Sequence, residues 1–224
     1  MEYAVLGWPE ENPKLRLDHR AFSYAGKFVM SNTGKAVVRE PDAEPPASAD
    51  AGANTPGTGA NTPGTGANTP DADRPDPATD APDRDWVDDD SIVAAVAFNE
   101  DRTDPATAWL RYVTVRQDRR GAGLGALLCR FATARLSDRG YERVHIAVNN
   151  PFAFHALYKA GFGYTGEETG LAELLLVAPS DRPSEGYRSG LDAYRERDDL
   201  SEAERDFLAA KTDADPPDVV SIPD

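Results

Sequence analysis

Six consecutive residues, Arg120-Gly121-Ala122-Gly123-Leu124-Gly125, have the composition of an anion-binding turn. They follow the apolar run WLRYVTV at 109–115 and open a stretch in which Leu124, Leu127, Leu128, Phe131 and Leu136 recur at helical spacing. A glycine-rich turn between a strand and a helix aims unpaired backbone N–H groups and the helix dipole at one point, and an anion binds there. The glycines remove side chains that would block close backbone approach. Arg116, Arg119 and Arg120 make this the most basic short stretch of a chain whose formal net charge is −15. A phosphate is the ligand this predicts, and a diphosphate suits the length of the turn.

Three other accounts of the turn can be compared with that one. A P-loop needs G-x-x-x-x-G-K-[ST], and no Lys follows Gly125. Gly121, Gly123 and Ala126 do satisfy the dinucleotide fingerprint G-x-G-x-x-G/A. Against it, the polar residues 116–120 separate the strand from the first glycine. The next strand also runs out in Val148-Asn149-Asn150, where that fingerprint calls for an acidic residue to meet a ribose. A glycine-rich turn that binds nothing is the third alternative.

Val113-Thr114-Val115, four polar residues, then Arg120, Gly123 and Gly125 opening a helix resembles the signature of the GNAT superfamily of acetyl-CoA-dependent N-acetyltransferases. A second block agrees. Asn150, Ala153, Gly161 and Phe162 stand at the spacing of that family's N-x-x-A-x-x-x-Y-x-x-x-G-F, and the likeness covers roughly residues 91–177. The resemblance implies an α/β fold, a mixed, splayed β-sheet flanked by helices. It also implies acetyl-CoA as acyl donor and a primary amine, on a small molecule or a protein, as acceptor. In that frame the strand Val113-Thr114-Val115 pairs with the pantetheine arm through the backbone of Val113 and Val115. Arg120 and the amides of Gly121, Ala122, Gly123, Leu124, Gly125 and Ala126 hold the pyrophosphate. Asn150 contacts the pantetheine or orders the thioester.

The reaction implied is direct attack of the amine on the thioester, which requires a proton off the amine and a proton onto the leaving thiolate. A Tyr commonly supplies the second proton in this family, and here that position is Leu157. Tyr158 is the nearby phenol, about 100° further round the helix. Tyr158 or water could serve as the acid; otherwise the domain is a regulatory module that binds acyl-coenzyme A with little turnover. Glu173, on the last hairpin where many relatives line the acceptor pocket, is a candidate base, with a solvated strand-face carboxylate as the alternative. His145 and His155 are weaker candidates, because a single His on an apolar element is more often packed than catalytic.

The elements that must position these residues form one domain in two pieces, 1–40 and 91–180. Strands are expected at 35–40, 91–98, 109–115 and 143–148, a helix from Leu124 with Gly140 as its C-cap, a short helix over 151–160, and a hairpin from 164–168 and 171–177. Met1 to Leu6 and Leu15 to Met30 are expected as strands or a short strand-helix-strand entry. Between the pieces, 41–90 is nearly devoid of large apolar side chains and repeats GANTPGT, so it is expected to be a disordered low-complexity insert. It should join two strands that would otherwise be neighbours. Residues 181–224 read as a helical extension with a disordered tail; Ser201 with Glu204 makes a capping box at the second of two amphipathic stretches.

Charge and composition narrow the partners. With 39 Asp plus Glu against 24 Lys plus Arg, the surface repels nucleic acid and anionic membrane, so neither is expected as a partner. The Asp-rich, Lys-poor balance is the kind expected of a haloarchaeal protein working in concentrated salt, where screening removes self-repulsion. One cysteine, Cys129, excludes an internal disulfide framework, and no signal peptide or run of about 18 apolar residues is visible. A cytoplasmic monomer or homodimer is the expectation.

Overall fold

The computed structural model describes residues 1–30, 32–41 and 86–222. The GANTPGT repeats, and the expected disordered insert as far as residue 85, lie outside them. Seven strands form one sheet: β1 (Glu2–Gly7), β3 (Gly34–Arg39), β5 (Ile92–Glu100), β6 (Thr107–Val115), β7 (Arg143–Val148), β8 (Gly163–Glu168) and β9 (Leu174–Ala178). Their spatial order is β1-β3-β5-β6-β7-β9-β8, and a separate two-stranded parallel pair joins β2 (Lys14–Arg16) to β4 (Trp86–Asp88). All neighbours in the large sheet are antiparallel except β6 and β7. Among the described residues there are four α-helices, α1 (Leu124–Asp138), α2 (Pro151–Lys159), α3 (Ser184–Arg195) and α4 (Glu202–Ala209), besides three short 3-10 turns.

This is the mixed α/β, helix-flanked sheet expected from the residues. β3 and β5 are antiparallel neighbours, Ala36 opposite Val96, so residues 42–85 do connect two adjacent strands. Residues 86–88, counted with the insert in the sequence, pair instead with β2 through Leu15 and Val87.

β5 explains the layering. Ile92 to Phe98 are all 1% exposed or less, as in a strand covered on both faces. Val96 and Phe98 enter a core shared with α1, α2 and α3, while Ala95 and Ala97 enter a second core with Leu15, Phe22 and Phe28 of the N-terminal segment. α1 turns Leu128, Cys129, Ala132 and Leu136 into the first core, each leucine worth roughly 1.5–3 kcal/mol on burial. In the N-terminal entry the first expected run is the strand β1, while the second, 15–30, is less regular than expected, with Ala25–Lys27 a single 3-10 turn and only the end of Lys14–Arg16 extended. After it the chain turns locally: the Asp18 carbonyl accepts from Ala21 and Phe22 N–H, its carboxylate accepts from Arg20 N–H, and Tyr24 sits at φ 60°, which no helix or strand tolerates.

The C-terminal segment is built into the domain. Tyr187, Leu191 and Tyr194 of α3 are fully buried, and Ser201 caps α4 in the expected box with Glu204. The expected disordered tail does not hang free within the described residues: Val220 N–H donates to the Lys159 carbonyl at 2.8 Å, and Arg188 bonds Asp215.

Candidate functional site

β6 and β7 are paired over three residues, Thr107 with Arg143, Ala108 with Val144 and Trp109 with His145, and then part. Beyond that point β6 keeps only β5 and β7 keeps only β9, so a cleft opens in the middle of the sheet. β6 is bulged where the cleft begins: Ala97 pairs with Tyr112 and Phe98 with Leu110, leaving Arg111 as the extra residue. Which backbone groups face the cleft follows from the ladder. Arg116 N–H donates to Val93 C=O toward β5 at 2.8 Å. Backbone polar groups alternate sides along an antiparallel strand, so Thr114 shares the β5 side. Val113 and Val115 therefore turn their N–H and C=O into the cleft. Thr114 contributes no side chain there, since its hydroxyl is buried and has no partner among the described residues.

At the end of the cleft the chain turns into α1. Gly121 and Gly123 both have φ 82°, the left-handed region that favours glycine, and Gly123 is the N-cap with no side-chain cap bond. The first bond from the turn into the helix runs from Leu127 N–H to Gly123 C=O, so the amides of Leu124, Gly125 and Ala126 precede the ladder. A Cβ built on Gly121 or Gly123 would meet nothing within 4 Å, which leaves the mouth of the turn open. The side chains of Leu124 and Ala126 are buried beneath it, so these two residues could offer only their amides.

The basic cluster is smaller than its sequence suggests. Arg116 is 1% exposed and makes a two-point ion pair with Asp118 at 2.8 and 3.1 Å. Arg119 is paired with Glu40 at 2.8 Å and Asp118 at 3.0 Å. Of the three, Arg120 alone has no carboxylate partner among the described residues: it donates to Ser23 Oγ at 2.8 Å and to the Val115 carbonyl at 3.4 Å. The charge available to a ligand at the turn is thus that of Arg120 and the helix dipole.

Across the cleft, Asn150 follows β7 and caps α2, its Oδ1 accepting from Ala153 N–H at 2.8 Å. The β7–α2 corner is held from behind by α3, a partnership that sequence reasoning missed. Tyr194 OH donates to Val148 C=O at 2.9 Å, and Arg197 donates to Asn149 C=O at 2.7 Å and Ala172 C=O at 2.5 Å. Arg197 thereby ties the corner bearing Asn150 to the hairpin loop bearing Glu173. The only available signal was a Tyr and an Arg three residues apart at the end of an amphipathic stretch, too common a pattern to single out. Glu173 itself is half-buried and accepts from Thr169 Oγ1 at 3.3 Å.

Tyr158 lies elsewhere. It is fully buried, eight residues or about 12 Å along α2 from Asn150. Its hydroxyl accepts from Tyr164 N–H at 3.0 Å, its ring packs on Tyr187, and burial pushes its pKa up. Leu157, at the family's Tyr position, is 3% exposed in the same core. The three catalytic candidates thus lie apart: Asn150 is at the β7–α2 corner, Glu173 is in the hairpin loop that Arg197 ties to that corner, and Tyr158 serves the packing of α2 against β8 and α3.

The two histidines are also structural in their contacts. His145 meets Trp109 edge to face, and burial lowers its pKa. His155 Nδ1 lies 2.7 Å from Tyr187 OH, and burial pulls its pKa down to about 4, with Lys159 and Lys211 adding to the effect. Below about pH 6.5 the unfolded chain takes up a proton that the folded chain refuses, so stability should fall between pH 6.5 and 4 by on the order of 1 kcal/mol. Urea unfolding at pH 7 and 4.5 measures this, and His155→Gln should flatten the difference. An unchanged difference in the variant removes His155 as its origin.

Residues 62–164 match the acetyltransferase (GNAT) family model. Among solved structures the chain is similar to a GCN5-related N-acetyltransferase from Kribbella flavida, with 20% identity over 41% of this chain and 62% of that one and a TM-score of 0.35. It is similar to PaiA N-acetyltransferase from Thermoplasma acidophilum in complex with coenzyme A, with 17% identity over 41% and 55% and a TM-score of 0.34. Nourseothricin acetyltransferase gives 25% identity over 43% and 61% and a TM-score of 0.36. The chain thus spans 55–62% of the length of these relatives. No curated protein matches the sequence.

Proposed function

We propose that this chain, with its GNAT-type domain, is an acetyl-CoA-dependent N-acetyltransferase that passes the acetyl group to a primary amine by direct attack. The parting of β6 from β7, with the glycine turn at its end, carries this reading. It leaves a strand edge on which the backbone groups of Val113 and Val115 have no strand partner, the Val115 carbonyl taking only the long bond from Arg120, and this edge is continuous with anion-binding amides at the head of α1. A linear ligand with a diphosphate at one end and amide groups along its length complements both. From Val115 back to Leu110 is five residues, about 17 Å of strand, so the acyl end would lie near the bulge at Arg111.

In the reaction the amine nitrogen forms a bond to the thioester carbonyl carbon and the carbon–sulfur bond breaks. One proton leaves the amine and one is taken up by the thiolate. Asn150 would order the pantetheine through its Nδ2, because its Oδ1 is committed to capping α2. Glu173, tied by Arg197 to the same corner, would face the acceptor side. Water is the proton donor this geometry favours, since the Tyr158 hydroxyl is buried and already bonded. Tyr158→Phe should therefore leave turnover unchanged while costing about 1–2 kcal/mol of stability through the orphaned Tyr164 N–H. A tenfold or greater fall in kcat would restore Tyr158 as the acid.

The second reading, a module that binds acyl-coenzyme A with little turnover, is favoured by one observation: Leu157 and Tyr158 are both sealed in the core. Calorimetry with acetyl-CoA and a thiol-release assay over amines decide between the two. Micromolar binding with thiol release supports the enzyme, binding without release supports the module, and no binding defeats both. The acidic composition is proposed to serve a cytoplasm of high salt.

A further inference from the structure

A cavity of about 470 Å³ opens beside β6 on the face covered by the N-terminal segment, and β6 supplies Trp109, Arg111 and Tyr112 to its lining. These residues flank the bulge where β6 and β7 part. The cavity thus adjoins the place where the acyl end of a cofactor lying along β6 would arrive. Its charge runs against that of the molecule. On a chain of net −15, three cations, Lys27, Arg102 and Arg111, line it against one carboxylate, Asp101.

That carboxylate forms no ion pair with them among the described residues. Asp101 accepts from Trp109 Nε1 at 2.6 Å, from Thr103 N–H and Oγ1 at 2.8 and 2.7 Å, and from Asp104 N–H at 3.1 Å, which spends it on shaping the β5–β6 turn. Among the described residues none of the three cations is in an ion pair, whereas Arg39, Arg116, Arg119, Arg139, Arg143, Arg188 and Arg195 each have a carboxylate. Arg111 is preorganised. Its Nε donates to Asn99 Oδ1 at 2.7 Å and its guanidinium carbon lies 4.7 Å from the centre of the Trp109 ring, so its plane is set and its terminal nitrogens are left for a ligand. Burial lowers the Arg111 pKa; the charge of Asp101 pulls it back up, and that of Arg102 opposes this by a smaller amount. Lys27 sits 5.7 Å from the centre of the Tyr112 ring.

Unpaired cations grouped over an aromatic floor, beside the reacting end of the cleft, call for an anion that the protein itself does not supply. We propose that the acceptor is an amine that also carries a carboxylate, an amino-acid-like molecule whose carboxylate docks on Arg111, Arg102 and Lys27 and whose carbon skeleton lies on Trp109 and Tyr112. This deepens the acyl-transfer reading and rests on it. The carboxylate is the handle; the amine points toward the bulge.

The full chain with acetyl-CoA is assayed against aromatic and aliphatic amino acids, each paired with its decarboxylated amine, and against phosphoethanolamine paired with ethanolamine. Preference for the carboxylate member by about tenfold or more in kcat/KM supports the proposal. So does loss of that preference through KM in the Lys27→Gln, Arg102→Gln double variant, with acetyl-CoA affinity unchanged. Equal or better use of the decarboxylated amines overturns it while leaving acyl transfer intact, and a preference confined to the phosphate pair overturns the carboxylate. If nothing is acetylated, titration of the same amino acids into the coenzyme A-saturated protein decides: binding that needs the carboxylate and is lost in the double variant supports the pocket, and no binding overturns it. Failure of coenzyme A itself to bind marks the collapse of the acyl-transfer reading, and the amino-acid titration into free protein still tests the pocket.

Discussion

Replacing Gly123 with Val should leave a folded protein that has lost coenzyme A binding by about 100-fold or more. Gly123 holds φ 82° as the N-cap of α1, and a β-branched residue there pays roughly 1–2 kcal/mol in backbone strain or moves the turn. No protein atom lies within 4 Å of the position a Cβ would take, so the fold itself is not overpacked. The ligand is what the added side chain would meet. Each charge-assisted bond from a turn amide to a phosphate is worth roughly 1.5–3 kcal/mol, so displacing one or two accounts for the expected loss. Calorimetry with coenzyme A gives the affinity and circular dichroism the fold. Gly123→Ala should lie between wild type and Val. Full affinity in the valine variant would mean that the turn does not hold the pyrophosphate, and the functional proposal would fall with it.

Phe154→Ala should cost about 3–5 kcal/mol, a large share of the 5–15 kcal/mol that holds a domain together. Phe154 is fully buried, with the rings of Tyr158, Tyr164, Tyr187 and Tyr194 centred 4.9 to 6.0 Å from its own. Its neighbour Gly190 shows how closely α3 approaches: a Cβ there would sit 2.2 Å from the Phe154 ring. Removing the ring empties the joint between α2 and α3 and loosens Tyr194, whose hydroxyl holds Val148 at the cleft. Urea unfolding measures the loss, and coenzyme A affinity should fall with it by a smaller factor. A cost under about 1 kcal/mol would show that α3 is dispensable to the core.

Individual elements show how much of this could be read from residues alone. β7 spans the same residues in the structure as in the sequence, 143–148, because an alternating apolar run bounded by turn residues has one good solution. α1 begins at Leu124 as its glycines and leucine spacing require. Residues 18–30 were less legible. Their apolar residues, Ala21, Phe22, Ala25 and Phe28, stand at helical spacing and fill a core, yet only Ala25–Lys27 makes a short 3-10 turn, because Tyr24 at φ 60° interrupts any longer helix, so the pattern announced burial and not conformation. Tyr158 is the sharpest case at the site. A phenol one position from the family's catalytic place is a reasonable acid by sequence, and only the packing of α2 shows its hydroxyl capped by Tyr164 N–H.

What the sequence by itself determined was the local grammar: a strand, a left-handed glycine turn and a helix, in that order, which is enough to predict an anion at the head of α1. Those features depend on φ preferences and on hydrophobic period, both of which act within a few residues. Tertiary structure decided which charges remain available. Arg116 and Arg119 look like ligands beside the turn, yet each is claimed by a carboxylate, one from Asp118 and one from Glu40 far away in the chain. Lys27, Arg102 and Arg111 have no common motif, yet the fold gathers them around one cavity, and none of them is in an ion pair among the described residues. Coulomb energy depends on distance in space and on water, and neither is written in the order of residues.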